Sequence, residues 1–263
     1  DWGFGLLRHR SAPGPDPPLR DELLSVERLE ERAKALAARF TVDPSPSRRA
    51  RSVFPRFKDN ARLLHEAYRV LAQDVHRGEF VTPAGEWLLD NFHLVTSELL
   101  DVHHNLPRSY YRELPKLALR ELAGHARVYA LAVELIRHSD SRLERHQLER
   151  FLNSYQTVAP LTIGELWAWP SMLRLALIEN LRRLAQEALE GRAARQAADD
   201  YVTRFDAAGR GAAPPLPVSL PIASMVRLLE RLREYGPHFS PVRASVEAHL
   251  AARQMTPEDA IRS

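Results

Sequence analysis

Residues 106–184 read LPRSYYRELPKLALRELAGHARVYALAVELIRHSDSRLERHQLERFLNSYQTVAPLTIGELWAWPSMLRLALIENLRRL, and their spacing decides the fold class. Val128, Leu131, Leu135 and Ile136 recur at steps that keep them together, as do Leu148, Phe151, Leu152 and Tyr155, then Leu173, Leu177, Leu181 and Leu184. That period places each set on one face of a helix. Stops and starts stand between the sets. Pro107 and Pro115 bracket a short aromatic turn, SYYRE, Gly124 separates one short helix from the next, and HSDSR is a turn. After Pro160 comes a capping box, Thr162-x-x-Glu165. The Thr hydroxyl can accept from the Glu165 amide while the Glu side chain reaches back to the Thr162 amide, with Leu161 and Leu166 stapled around the pair. Pro170 is expected to kink or restart this helix.

The same grammar extends outward. Residues 1–20 are Pro- and Gly-rich and read as an irregular lead-in, after which Ser25 caps a helix with the stripe Val26, Leu29, Ala33, Leu36 and Phe40. TVDPSPSRRARSVFP (41–55) is a linker by composition, its SRRARS core a solvated loop. Phe57, Ala61, Leu64, Tyr68, Leu71 and Val75 mark a second helix, closed by Gly78. Thr82-Pro83 opens a third with Leu88, Phe92, Val95, Leu99 and Val102 inward. Residues 207–221 form a Pro/Gly/Ala linker and the best boundary. Beyond it Ile222, Met225, Val226, Leu229 and Leu232 make another helix, Ser240-Pro241 opens the next, and Thr256-Pro257-Glu258 begins a last one. No stretch alternates with period two. The expectation is an all-α chain of about ten helices: a main domain over 21–206, the linker 207–221, and C-terminal helices over 222–263 packed on it.

Composition narrows the function classes. Hydrophobic residues make up 44% of the chain, enough for a sizeable core, and 11 glycines against 19 prolines suit helices with hard stops. The net charge is +3, with Arg and Glu interleaved and no basic block, so nucleic acid is not an expected partner. With no cysteine, disulfides, thiolate metal sites and cysteine nucleophiles are excluded. No apolar run approaches the ~18 residues of a membrane span, and no signal peptide is visible. The chain starts without Met and stops at TPEDAIRS, which reads as a piece of something longer.

Reacting groups are harder to find. There are 11 histidines, but His93 and His104, and likewise His65 and His76, lie eleven positions apart. A rise of ~1.5 Å per residue separates such a pair by about 16 Å, too far for one ion. HExxH, GxGxxG, GxxxxGK[ST], GxSxG and Asp-x-Asp are all absent. Aromatics remain: Tyr110, Tyr111, Trp167 and Trp169 could stack on sugar rings, with Arg112, Glu113 and Glu165 beside them in sequence. They could equally pack helix ends against the core or a neighbouring domain.

Several of these strings resemble a known family. WLLDNFHLV (87–95), LPRSYYRELPKLA (106–118), RVYALAVELIRHSDSRL (127–143) and PLTIGELWAWPSMLRLALIENLRRLA (160–185) are similar to the N-terminal, pre-transferase region of bacterial cyclic β-1,2-glucan synthases. ELLSVERLEERAKALA and DNARLLHEAYRVLA look like the same region, so the likeness runs from about Glu22 to the end. One departure is Ala126, where the family pattern Gly-x-Pro-Arg-Val-Tyr would have proline. The resemblance implies a whole protein of the inner membrane that transfers glucose from UDP-glucose, with a divalent metal, and cyclises the glucan for the periplasm. It implies no catalytic, cofactor or metal residue in this region, which would lie on the cytoplasmic side. The partner it implies is the remainder of the synthase, and the role a non-catalytic helical accessory or scaffold domain. Two other roles stay open: a glucan-binding or self-priming acceptor domain, with Tyr110 or Tyr111 exposed to take the first glucose, and a stand-alone helical adaptor.

Overall fold

A computed structural model describes residues 16–44, 51–118 and 123–207 and, beyond them, 225–226, 228–229, 232, 240–252 and 254–256. The lead-in up to residue 15, part of the SRRARS loop, most of the linker 207–221 and the last helix start at 257 lie outside the described residues. Within them the chain forms nine helices and no strand; the all-α expectation holds.

The most completely buried helix is α6 (Arg127–His138), where every residue except Arg137 is buried. Its sequence explains this. Its apolar residues pack inward, and its polar edge of Arg127, Glu134 and His138 is buried in ion pairs and hydrogen bonds. The covering elements carry one-sided stripes. In α1 (Val26–Arg39) the Ser25 hydroxyl accepts from the Arg28 amide at 3.4 Å, and Leu29, Ala33, Leu36 and Ala37 face inward. This helix packs along α7 (Arg145–Gln156), which contributes Phe151, Ser154 and Tyr155. Asp140 and Ser141, with φ of 49° and 60°, turn the chain tightly between α6 and α7.

The second helix is α2 (Phe54–His76). Its buried face is Asn60, Leu64, Ala67, Leu71 and Asp74, rotated from the purely apolar stripe, and Val75 is exposed. Polar partners cause the rotation, since Asn60 turns inward to donate to Glu179 at 2.7 Å. Gly78 (φ 71°) ends the helix as its sequence position indicates. The single helix expected after Thr82 is two, α3 (Pro83–Asp90) and α4 (Phe92–Asn105). The break falls at Asn91, whose side-chain amide donates to the Trp87 carbonyl at 2.8 Å and competes with the helix ladder. Phe92 then stacks on Tyr68 with ring centres 4.2 Å apart.

The aromatic turn is one short helix, α5 (Arg108–Glu113). The short helix expected just before Gly124 falls partly on residues 119–122, outside the described residues; before them Lys116 and Leu117 are extended and pair antiparallel with Ala126 and Val42. Next comes α8 (Ile163–Ala207), 45 residues that continue through Pro170 without restarting.

Two compact units divide the chain, residues 1–186 and 187–263. The division falls inside α8, upstream of the composition-based linker. The second unit has its own core of Ala198, Tyr201, Val202, Met225, Leu228 and residues of α9 (Ser240–Ala251), namely Val242, Val246 and Leu250. Among the described residues no helix is long and apolar enough to cross a membrane.

Candidate functional site

The seven residues singled out in the sequence gather where α5 meets the start of α8, and the structure sorts them into an inside and an outside. Inside, the capping box forms as read. The Glu165 amide donates to Thr162 Oγ1 at 3.2 Å, and Glu165 Oε2 accepts from the Thr162 amide at 2.9 Å. Glu165 has a second task that its sequence position does not reveal. Arg127, the first residue of α6, grips it with Nε to Oε1 at 2.8 Å and Nη2 to Oε2 at 2.6 Å, and also donates to the Pro160 carbonyl at 3.0 Å. Both side chains are buried, so α6 and α8 are joined by a charge pair that neither partner could leave without stranding the other.

Lys116 adjoins this pair and is fully buried. Its ammonium donates to the Tyr111 carbonyl and sits 4.0 Å above the Tyr111 ring centre. Burial pulls its pKa from 10.5 down to about 8, against the Glu165 charge, which pushes it up. Tyr111 is only 3% exposed, and its hydroxyl accepts from the Ala126 amide at 3.4 Å. Burial raises that phenol well above its usual range. This corrects the expectation of an exposed Tyr111: the prolines flanking SYYRE shape a helix whose inner face carries it. Trp169, 6% exposed, is likewise a core residue.

Outside lie Tyr110, Arg112, Glu113 and Trp167. Tyr110 is half-buried and donates from its hydroxyl to the Gly164 carbonyl at 2.6 Å, tying α5 to the first turn of α8. Arg112 and Glu113 are exposed. Trp167 is 79% exposed, and with Ile163 (77%) and Leu166 it forms an apolar stripe along the outer side of the first turns of α8. Leu166, read as half of a staple, sits on this open side. Ile163 was not singled out, although the i, i+4 spacing to Trp167 could have shown it.

Two further buried carboxylates follow the same pattern. Glu179 in α8 accepts from Arg56, Asn60 and Arg183, at 2.7 to 3.0 Å. Glu134 in α6 accepts from Arg32 at 2.6 Å and from Arg137 at 3.4 Å. These arrays clamp helices together, since each carboxylate faces arginines rather than open space. Among the described residues no three His, Asp or Glu side chains converge to hold a metal ion.

Two open grooves accompany this corner. One, of about 390 Å³, runs between Trp87 and Leu94 on one side and Leu177, Ile178 and Leu181 on the other. Its charges cancel, Arg174 donating to Glu98 at 2.6 Å. The other, of about 440 Å³, lies between α2, α4 and the start of α5.

No protein-family model matches the chain. It is 34% identical over 212 residues to "Cyclic beta-(1,2)-glucan synthase NdvB" of Rhizobium meliloti (strain 1021), a match covering 78% of this chain and 8% of that protein. The chain therefore spans a small part of the length of the curated relative it matches. The resemblance read from its helical strings is borne out, and the chain is homologous to one segment of a cyclic β-(1,2)-glucan synthase.

Proposed function

We propose that this chain is a non-catalytic helical scaffold that docks on the other modules of a cyclic β-1,2-glucan synthase through the outer face of α8. The observation that carries the reading is the stripe Ile163, Leu166 and Trp167, two of them more than three-quarters exposed. Large apolar side chains left in water on one helix face mark a contact surface, and tryptophan is the residue type most enriched among binding hot spots. Rigidity supports the same reading. The capping box, the Arg127–Glu165 pair and the Tyr110–Gly164 bond fix that helix end before any partner arrives. In this scheme UDP-glucose, its metal and glucosyl transfer belong to the rest of the polypeptide, and the scaffold sits on the cytoplasmic side of the inner membrane.

The test is co-purification of the 263-residue chain with a synthase lacking the corresponding segment, assayed for glucan synthesis. Capture with restored synthesis is expected for the wild type, and loss of both for Ile163→Glu/Trp167→Glu, with helicity unchanged by circular dichroism. A folded chain that neither binds nor rescues would end the reading.

A further inference from the structure

The groove between α2, α4 and the start of α5 differs from its neighbour in charge. Its floor is apolar, built from Phe57, Leu99 and Leu106. Its rim carries Lys58, His65, His103 and Arg108, all exposed, and no carboxylate lines it. Arg108 lies 5.6 Å from the Phe54 ring centre, held by the aromatic face and not by an acid. Lys58 has no acidic partner among the described residues. The closest acid in sequence, Asp59, is already bonded to Arg62 at 2.9 Å. Leu100, 54% exposed, stands at the lip. This combination is unusual in a chain whose other arginines so regularly meet glutamates, as Arg174 meets Glu98 beside the first groove.

We propose that this groove seats an amphipathic helix with an acidic edge, supplied by a polypeptide segment outside these 263 residues. An apolar trough takes helix anchors at i, i+4 and i+7, and a rim of one charge sign selects the flanking residues. At about 440 Å³ the space matches a few aliphatic side chains and not an extended flat interface. Lys58 and Arg108 pair with carboxylates along the edge of the incoming helix, while its leucines fill the space beside Leu100. The inference uses different residues from the α8 stripe and does not depend on the glucan-synthase reading.

The probe is a fluorescein-labelled, hydrocarbon-stapled helix with leucines at i, i+4 and i+7 and glutamates flanking them. Sister peptides carry glutamine or lysine at the flanking positions. Anisotropy with the 263-residue chain is expected to show the glutamate peptide binding at least about tenfold tighter than the glutamine one, and the lysine peptide not binding. The preference should shrink as ionic strength rises from about 0.01 to 1 M, over which the screening length falls about tenfold. It should reverse in Lys58→Glu/Arg108→Glu, and Leu100→Glu should abolish glutamate-peptide binding. Both variants change exposed side chains and are checked for fold by circular dichroism. Equal affinity for the three peptides, no binding of the glutamate peptide, or indifference to Lys58→Glu/Arg108→Glu would overturn the proposal. So would binding of phosphatidylglycerol vesicles through Lys58 and Arg108 without peptide binding, which would assign the groove to lipid.

Discussion

Single residues here carry opposite electrostatic signatures. Burial would raise the pKa of Glu179, but hydrogen bonds from Arg56 and the Arg183 charge outweigh it and hold the carboxyl at about 2, against 4.5 ordinarily. The folded state therefore releases this proton more readily than the unfolded chain. Its contribution is complete above pH 4.5 and is lost as the pH falls toward 2, a difference of about 3 kcal/mol at most. Urea titrations should show the wild type losing stability across that window, and Glu179→Gln, weaker at neutral pH, losing much less. Lys116 behaves the other way. Its folded pKa of about 8 lies below the ordinary 10.5, so between those values the unfolded chain binds the proton that the folded one sheds. Stability relative to Lys116→Met should rise as the pH climbs from 8 toward 10, and a flat difference between the two proteins would refute the assignment. Above that range the buried tyrosines oppose the trend, because burial raises their phenol pKa values. Of these two residues the sequence disclosed little. Glu179 sits in an ordinary helical stripe and Lys116 follows a proline; what makes them special is the burial and, for Glu179, the distant Arg56, neither of which the local sequence marks.

At the scale of elements, local chemistry was the readable part. Ser25, Thr82 and Thr162 cap the helices they were expected to cap, because an N-cap needs only residues within one turn. The departures come from side chains that compete with the simple apolar stripe, one of them distant and one local. Helix α2 rolled toward Asn60 because Glu179 lies more than a hundred residues away, and α3 parted from α4 because the Asn91 side chain claims the Trp87 carbonyl. The candidate site divided for the same reason: the pattern placed Tyr110, Tyr111, Trp167 and Trp169 together but could not say which side of each helix would be covered. The capping box permits a graded test. Thr162→Ala removes one cap acceptor and should cost about 1 kcal/mol. Glu165→Ala also leaves Arg127 buried without its carboxylate and should cost about 3–5 kcal/mol. Chemical denaturation measures both, and equal costs would mean that the Arg127–Glu165 pair contributes nothing beyond the cap.

At the scale of the whole molecule, the division at residues 186 and 187 separates two cores with different members. Val246 is fully buried in the second. Val246→Asp should unfold residues 187–263, seen as fast amide exchange in α9, while the amides of α6 stay protected. Loss of protection in both would show that the second unit supports the first. Helix α8 continues across that division, and helical period and charge pattern carry no mark where one core gives way to the next.

The covering of α6 on all sides has a consequence for how this protein can vary. In α1, tolerance of polar substitution should rise and fall every three or four positions, following its one buried stripe. Along α6 the same saturation scan should be nearly flat and intolerant, Arg137 included, because its guanidinium pairs with Asp21 and Glu134. The helix buried on every side should be the slowest to change.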